Sequence, residues 1–174
     1  MKPSYLWKGL PGHPLHPPLT DATIGAYTIA TVLAFLCQIG VSEPNCTKGW
    51  WLALIVGLIV TGPTALTGFL DWLTIAWDTA LWRTATLHLA SMLTATVFFL
   101  IAAIAGHDDY VVSSVSAGSF VLTAIGFVFL TIGGWLGGAV VFVHGMRVLS
   151  LVDEPTQRAV SPTPHPEQEE AEGT

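Results

Sequence analysis

A small set of side chains in this sequence is out of keeping with the apolar residues around it: His13, His16, Asp21, Asp71, His88 and His144. Imidazole ligates haem iron as well as Zn, Cu or non-haem Fe, and added carboxylates shift the balance toward a non-haem metal. Two uses of the set follow. His16, His88 and His144 are candidate ligands of a b-type haem, with Asp21 or Asp71 orienting a ligating ring as hydrogen-bond acceptors. Alternatively, all six hold a divalent transition metal ion. An ionisable group at membrane depth costs about 3 kcal/mol or more unless it is paired or wetted, so each is a functional-site hypothesis. Each also has a plainer reading, in which a His at a helix end bonds a carbonyl or reaches toward the headgroups.

The elements that must position these residues are transmembrane helices. The chain has 174 residues, 52% hydrophobic and 10% charged, with a mean hydropathy of +0.62, outside the range of soluble domains. Its apolar residues fall in four runs, roughly 19–40, 50–70, 84–105 and 117–144. Each is long enough for a helix to cross ~30 Å of hydrocarbon, which takes ~20 residues. The expected fold is an all-α four-helix transmembrane bundle over 19–150. A Pro/His-rich strap over 1–18 precedes it, and an acidic tail over 151–174, poor in residues to bury, follows as disordered chain. The first run is too long for the core of a cleaved signal and is expected to stay.

Local signals refine this. Pro17-Pro18 suit a helix start, with Thr20 or Asp21 as cap, and Pro63 predicts a kink in the second span. His13 and His16 each precede a proline, which favours an extended or polyproline conformation with both rings on one side. The strap would then lie over one mouth of the bundle. No internal repeat is evident.

Lys2, Lys8, Arg83, Arg147 and Arg158 share one side and Lys48 alone lies on the other, so the positive-inside rule makes both termini cytoplasmic. Asp21, Asp71, His88 and His144 then share one depth, near the cytoplasmic surface. Cys37 and Cys46 fall on the external side, where a disulfide and two unpaired thiols are both open readings. They are too few to ligate an iron–sulfur cluster. His107, Asp108 and Asp109 belong to a solvated external loop.

Helical periodicity puts His144 on one stripe with Gly137, Gly133 and Gly126, Asp71 with Gly68, Thr67 and Thr64, and Asp21 with Gly25 and Thr28. The glycine stripe could seat a flat macrocycle. As small-xxx-small pairs, the same glycines serve close helix contact.

Other function classes find less support. The net charge of −6 lies largely in the tail and the scattered Lys and Arg make no basic face, so no nucleic-acid partner is expected. A proton pathway would need ionisable groups through the outer halves of the spans, which carry none. No nucleophile stands with a base at a recognisable spacing, so no catalytic residue is assigned.

The segments L-P-G-H-P-L-H-P-P-L-T-D-A-T-I-G-A-Y, T-G-P-T-A-L-T-G-F-L-D-W-L, H-L-A-S and G-G-W-L-G-G-A-V-V-F-V-H-G resemble the bacterial membrane-protein family catalogued as domain of unknown function 2231. The likeness covers about 12–148, and the opening H-P-x-H-P followed by Asp is its most specific element. It places the family pattern on His13, His16, Asp21, Asp71, His88 and the Gly-Gly pairs before His144, where some relatives carry another basic residue. Actinobacterial relatives joined to a Rieske iron–sulfur domain imply a link to electron transfer, through a separate protein in this case. The resemblance implies a bacterial inner-membrane location. The leading expectation is a redox-associated subunit with a haem b or metal site near the cytoplasmic face. The alternative is a non-catalytic anchor or assembly subunit, whose His and Asp residues are structural. The oligomeric state is open, a homo-oligomer included.

Overall fold

A computed structural model describes residues 5–10, 12–149 and 152–161 of the chain. Among them, four helices are long and apolar enough to cross a membrane, as the hydropathy runs require. The elements in order are α1 (Tyr5–Lys8), β1 (Gly9–Leu10), β2 (His13–Pro14), α2 (His16–Gln38), α3 (Glu43–Trp72), α4 (Ala80–Ala105), α5 (His107–Val112), α6 (Ala117–Gly138), a π-turn (Ala139–Val143) and α7 (Thr156–Ala159). The expected tail lies outside the described residues from 162 onward.

The polyproline strap is not what forms. Gly9–Leu10 pairs antiparallel with His13–Pro14, Leu10 opposite His13, and His16 already lies in the first turn of α2. Pro17 and Pro18 explain the early start, because first-turn positions need no N–H donor. Neither Thr20 nor Asp21 caps the helix. Its flanking residue is Leu15, with no side-chain cap, and the Thr20 hydroxyl turns back to donate to the His16 carbonyl at 3.0 Å.

At its far end α2 closes with a Schellman arrangement. Gly40, at φ +76°, lets its own N–H reach the Cys37 carbonyl and the Val41 N–H reach that of Leu36, both at 3.0 Å. Helix α3 begins well before the apolar run, because Glu43 to Lys48 are polar yet helical. Cys37 and Cys46 join the two helices there as a disulfide with a Cα–Cα distance of 5.8 Å. Helix α3 continues through Pro63.

Thr79 caps α4 and Ser116 caps α6, each accepting the backbone N–H three residues on, from Trp82 at 3.1 Å and Ser119 at 3.2 Å. The expected external loop at His107 is helical instead, with Tyr110 of α5 packed 4.7 Å from the Trp51 ring.

The bundle is two hairpins laid together. Helix α2 packs chiefly on α3 and α4 chiefly on α6, with smaller contacts from α3 to α4 and α2 to α6. Where the hairpins meet, Tyr27 and Phe99 stack at 4.0 Å with 11° between their planes. Trp50 and Leu54 are fully buried nearby. Ile29, Val32, Phe35, Ile59, Leu66, Val97 and Val128 are exposed, the apolar coat that lipid contact calls for.

Candidate site at the histidine end of the bundle

The chain brings His16, His88, Asp71 and Arg147 to one end of the bundle. His16 enters from the first turn of α2 and its Nδ1 lies 3.1 Å from the Thr64 carbonyl on α3. A carbonyl only accepts, so Nδ1 carries the proton, shared weakly with the Thr67 hydroxyl oxygen at 3.3 Å. The Thr20 hydroxyl lies 3.4 Å from Nε2, but its single proton is directed to the His16 carbonyl. In the neutral ring, Nε2 therefore keeps its lone pair.

His88, a little over two turns into α4, repeats this arrangement. Its Nδ1 donates to the Gly133 carbonyl on α6 at 2.7 Å, and among the described residues no hydrogen bond reaches its Nε2. Both rings are half-buried.

Glycine makes room for each ring. A Cβ at Gly68 would fall 2.5 Å from Cε1 of His16, and one at Gly137 would fall 3.0 Å from Cε1 of His88. The rest of the stripe on α6 is likewise filled from α4. Gly133 receives Met92, with its sulfur 2.5 Å from where a Cβ would sit, and Gly126 receives Phe99. The groove that could have seated a macrocycle is thus closed by helix packing, and the residues do not fit a haem there.

The remaining candidates go elsewhere. Asp71 pairs with Arg147, Oδ1 to Nη2 at 2.6 Å, the two side chains being 13% and 30% exposed. Arg147 also reaches the Lys8 carbonyl at 3.5 Å, fastening the chain before β1 to the chain after the π-turn. His144 follows that π-turn and its Nε2 shares a hydrogen bond with the Thr84 hydroxyl of α4 at 3.0 Å. Asp21 is exposed on α2, and His13 is exposed on β2. Among the described residues, no three His, Cys, Asp or Glu side chains gather closely enough to hold a metal ion. The six-residue cluster therefore resolves into two imidazoles held separately by α3 and α6, an ion pair and outlying residues.

The sequence put Thr64 and Gly68 on the stripe of Asp71 but gave neither a role toward His16, and it gave Arg147 and Thr20 no part in the site. The signal for Arg147 was present, since Asp71 and Arg147 both lie where a span ends, at one depth. A buried carboxylate needs such a partner. Arg147→Ala is expected to cost about 2 kcal/mol, because it strands a nearly buried carboxylate. The double variant Asp71→Asn with Arg147→Ala should cost less than the two single changes added together. Denaturant unfolding in micelles measures the cycle, and a coupling near zero would show that the pair is ornamental.

A family model described as Predicted membrane protein (DUF2231) matches residues 12–150. No curated protein and no solved structure matches the chain.

Proposed function

The chain belongs to the family of predicted membrane proteins DUF2231, and we propose that it is a redox-associated membrane subunit in which His16 and His88 bind a transition-metal ion. One observation carries this reading. Each ring has its Nδ1 fixed by a backbone carbonyl of the neighbouring helix, at 3.1 Å for His16 and 2.7 Å for His88. Metal-ligating histidines are held in this way, with the other nitrogen turned to the ion. A bound copper or iron ion would supply a one-electron couple. With two protein nitrogens in the site, water would complete the ligand set, and a separate electron-transfer protein, such as a Rieske-type partner, would exchange the electron.

The site faces the cytoplasm in this reading, in a bacterial inner membrane. Lys8, Arg83, Arg147 and Arg158 share the histidine end, which favours the cytoplasmic side. The Cys37–Cys46 disulfide at the opposite end agrees, because disulfides persist in oxidising compartments.

Elemental analysis and absorption of detergent-purified full chain, after loading with Cu or Fe and desalting, test the proposal. The expected result is retained metal with no Soret band, lost in His88→Ala. Chain that retains no metal overturns it.

A second reading has its own support. Gly68 and Gly137 are shaped around the imidazoles, as they would be if His16 and His88 served only to fix helix register in an anchor or assembly subunit. In that case His88→Ala impairs folding or assembly while metal content stays at background. A stable, fully assembled variant counts against it.

A further inference from the structure

The two hairpins repeat one another position by position. His16 and His88 stand 72 residues apart, as do Tyr27 and Phe99. The same offset carries buried Thr23, Ala30 and Ala34 onto buried Ala95, Ala102 and Gly106. Along the second helix of each hairpin the offset is 69, which carries Trp50, Leu54, Gly57 and Thr64 onto Ser119, Thr123, Gly126 and Gly133, all of them buried.

The contacts repeat as well. Tyr27 lies against Gly57 and Phe99 against Gly126, while eleven residues earlier His16 lies against Gly68 and His88 against Gly137. Each imidazole bonds the carbonyl four residues before its glycine, Thr64 in one half and Gly133 in the other. Equivalent positions also meet each other, since Tyr27 stacks on Phe99. A residue touching its own counterpart is the mark of a twofold axis. Both hairpins start from the same end, so that axis runs along the bundle, as in parallel membrane repeats.

The chemistry at the histidine end follows from this tiered construction. Eleven residues is close to three helical turns, so each His stands on the same face of its helix as the aromatic that reaches the axis. Each ring lies in a gap left by glycine and is held by Nδ1, which leaves the lone pair of Nε2 to a ligand, with the Thr20 hydroxyl oxygen 3.4 Å from that nitrogen in His16. Among the described residues no ring contact joins the imidazoles, unlike the stacked pair in the middle tier.

We infer that the chain is a duplicated hairpin with a pseudo-twofold axis, and that His16 and His88 are equivalent donors to one metal ion centred on that axis. This deepens the metal-binding reading and rests on it. A ligand of this kind takes one nitrogen from each half, which suits a single ion with imidazole affinity, such as copper, better than an asymmetric organic substrate.

Full-length protein in detergent, titrated with Cu(II) and read by electron paramagnetic resonance, tests this. Expected are one ion per chain and hyperfine splitting from two equivalent nitrogens. His16→Gln and His88→Gln should each leave one nitrogen and weaken binding by similar factors, beyond the roughly 10–100-fold that loss of an outer-shell partner costs. If the two nitrogens differ, the shared axial site is overturned while the metal-binding reading stands; if one variant binds as the wild type does, both are overturned. If the wild type binds no copper and retains no other metal, both fall. Should a variant not fold, the nitrogen count on the wild type decides alone.

Discussion

Trp50→Ala is expected to destabilise the protein by about 3–5 kcal/mol, the cost of emptying the space of a large side chain in a packed interior. Trp50 is fully buried, and its indole Nε1 donates to the Thr123 hydroxyl oxygen at 3.1 Å, joining α3 to α6 across the two hairpins. Trp50→Phe separates the two contributions. It keeps most of the volume and removes the indole N–H. Thr123 already passes its own proton to the Ser119 carbonyl at 2.8 Å. Only an acceptor is orphaned, and the loss should be about 1 kcal/mol. Denaturant unfolding in micelles checks both, and an alanine variant within 1 kcal/mol of wild type would mean that the hairpins are not held together there.

Gly57→Ala should be more damaging than the same change at Gly126 or Gly62, costing about 3 kcal/mol. Its Cβ would lie 2.5 Å from Cε1 and 2.7 Å from Cδ1 of Tyr27. The ring has nowhere to retreat, being stacked on Phe99 at 4.0 Å with its hydroxyl 2.8 Å from that of Thr61. Gly126→Ala meets Phe99 at 3.0 Å and should cost less, while Gly62→Ala enters open space and should be neutral or slightly favourable. Thermal unfolding of the series in micelles gives the order Gly57, Gly126, Gly62 from worst to mildest. Tyr27→Leu in the Gly57→Ala background should recover part of the loss. Equal effects at all three glycines would refute the account, leaving helix propensity as the cause.

Hydropathy made the four spans legible because lipid imposes a length on apolar runs that few other constraints imitate. It missed the ends for the same reason. Glu43 to Lys48 are polar, and no hydropathy window can report a helix that continues into the headgroups. Placing the start of α2 at 19 instead of His16 made Asp21 look like a first-turn residue, when it is exposed on the side of the helix.

The expectation of one shared depth pointed to Asp71, His88 and the chain around His16, which lie at one end of the bundle. Depth says nothing about direction around the bundle, however, and His144 bonds Thr84 on α4. Arg147 was read only as a topological charge, although it is the partner that Asp71 needs. The duplication was invisible for a different reason. Its signal is carried by burial and spacing, with Tyr opposite Phe, Thr opposite Ala, and offsets of 72 and 69 on successive helices. A search for repeated residue types passes over such a pattern.

Because each hairpin makes most of its contacts internally, the plane between the hairpins is where this molecule should yield first. Every pair of spans can fold against itself as it leaves the ribosome, before its counterpart exists. Warming or mechanical load in the bilayer would then part the halves as two intact leaves, with His16 carried away on one and His88 on the other.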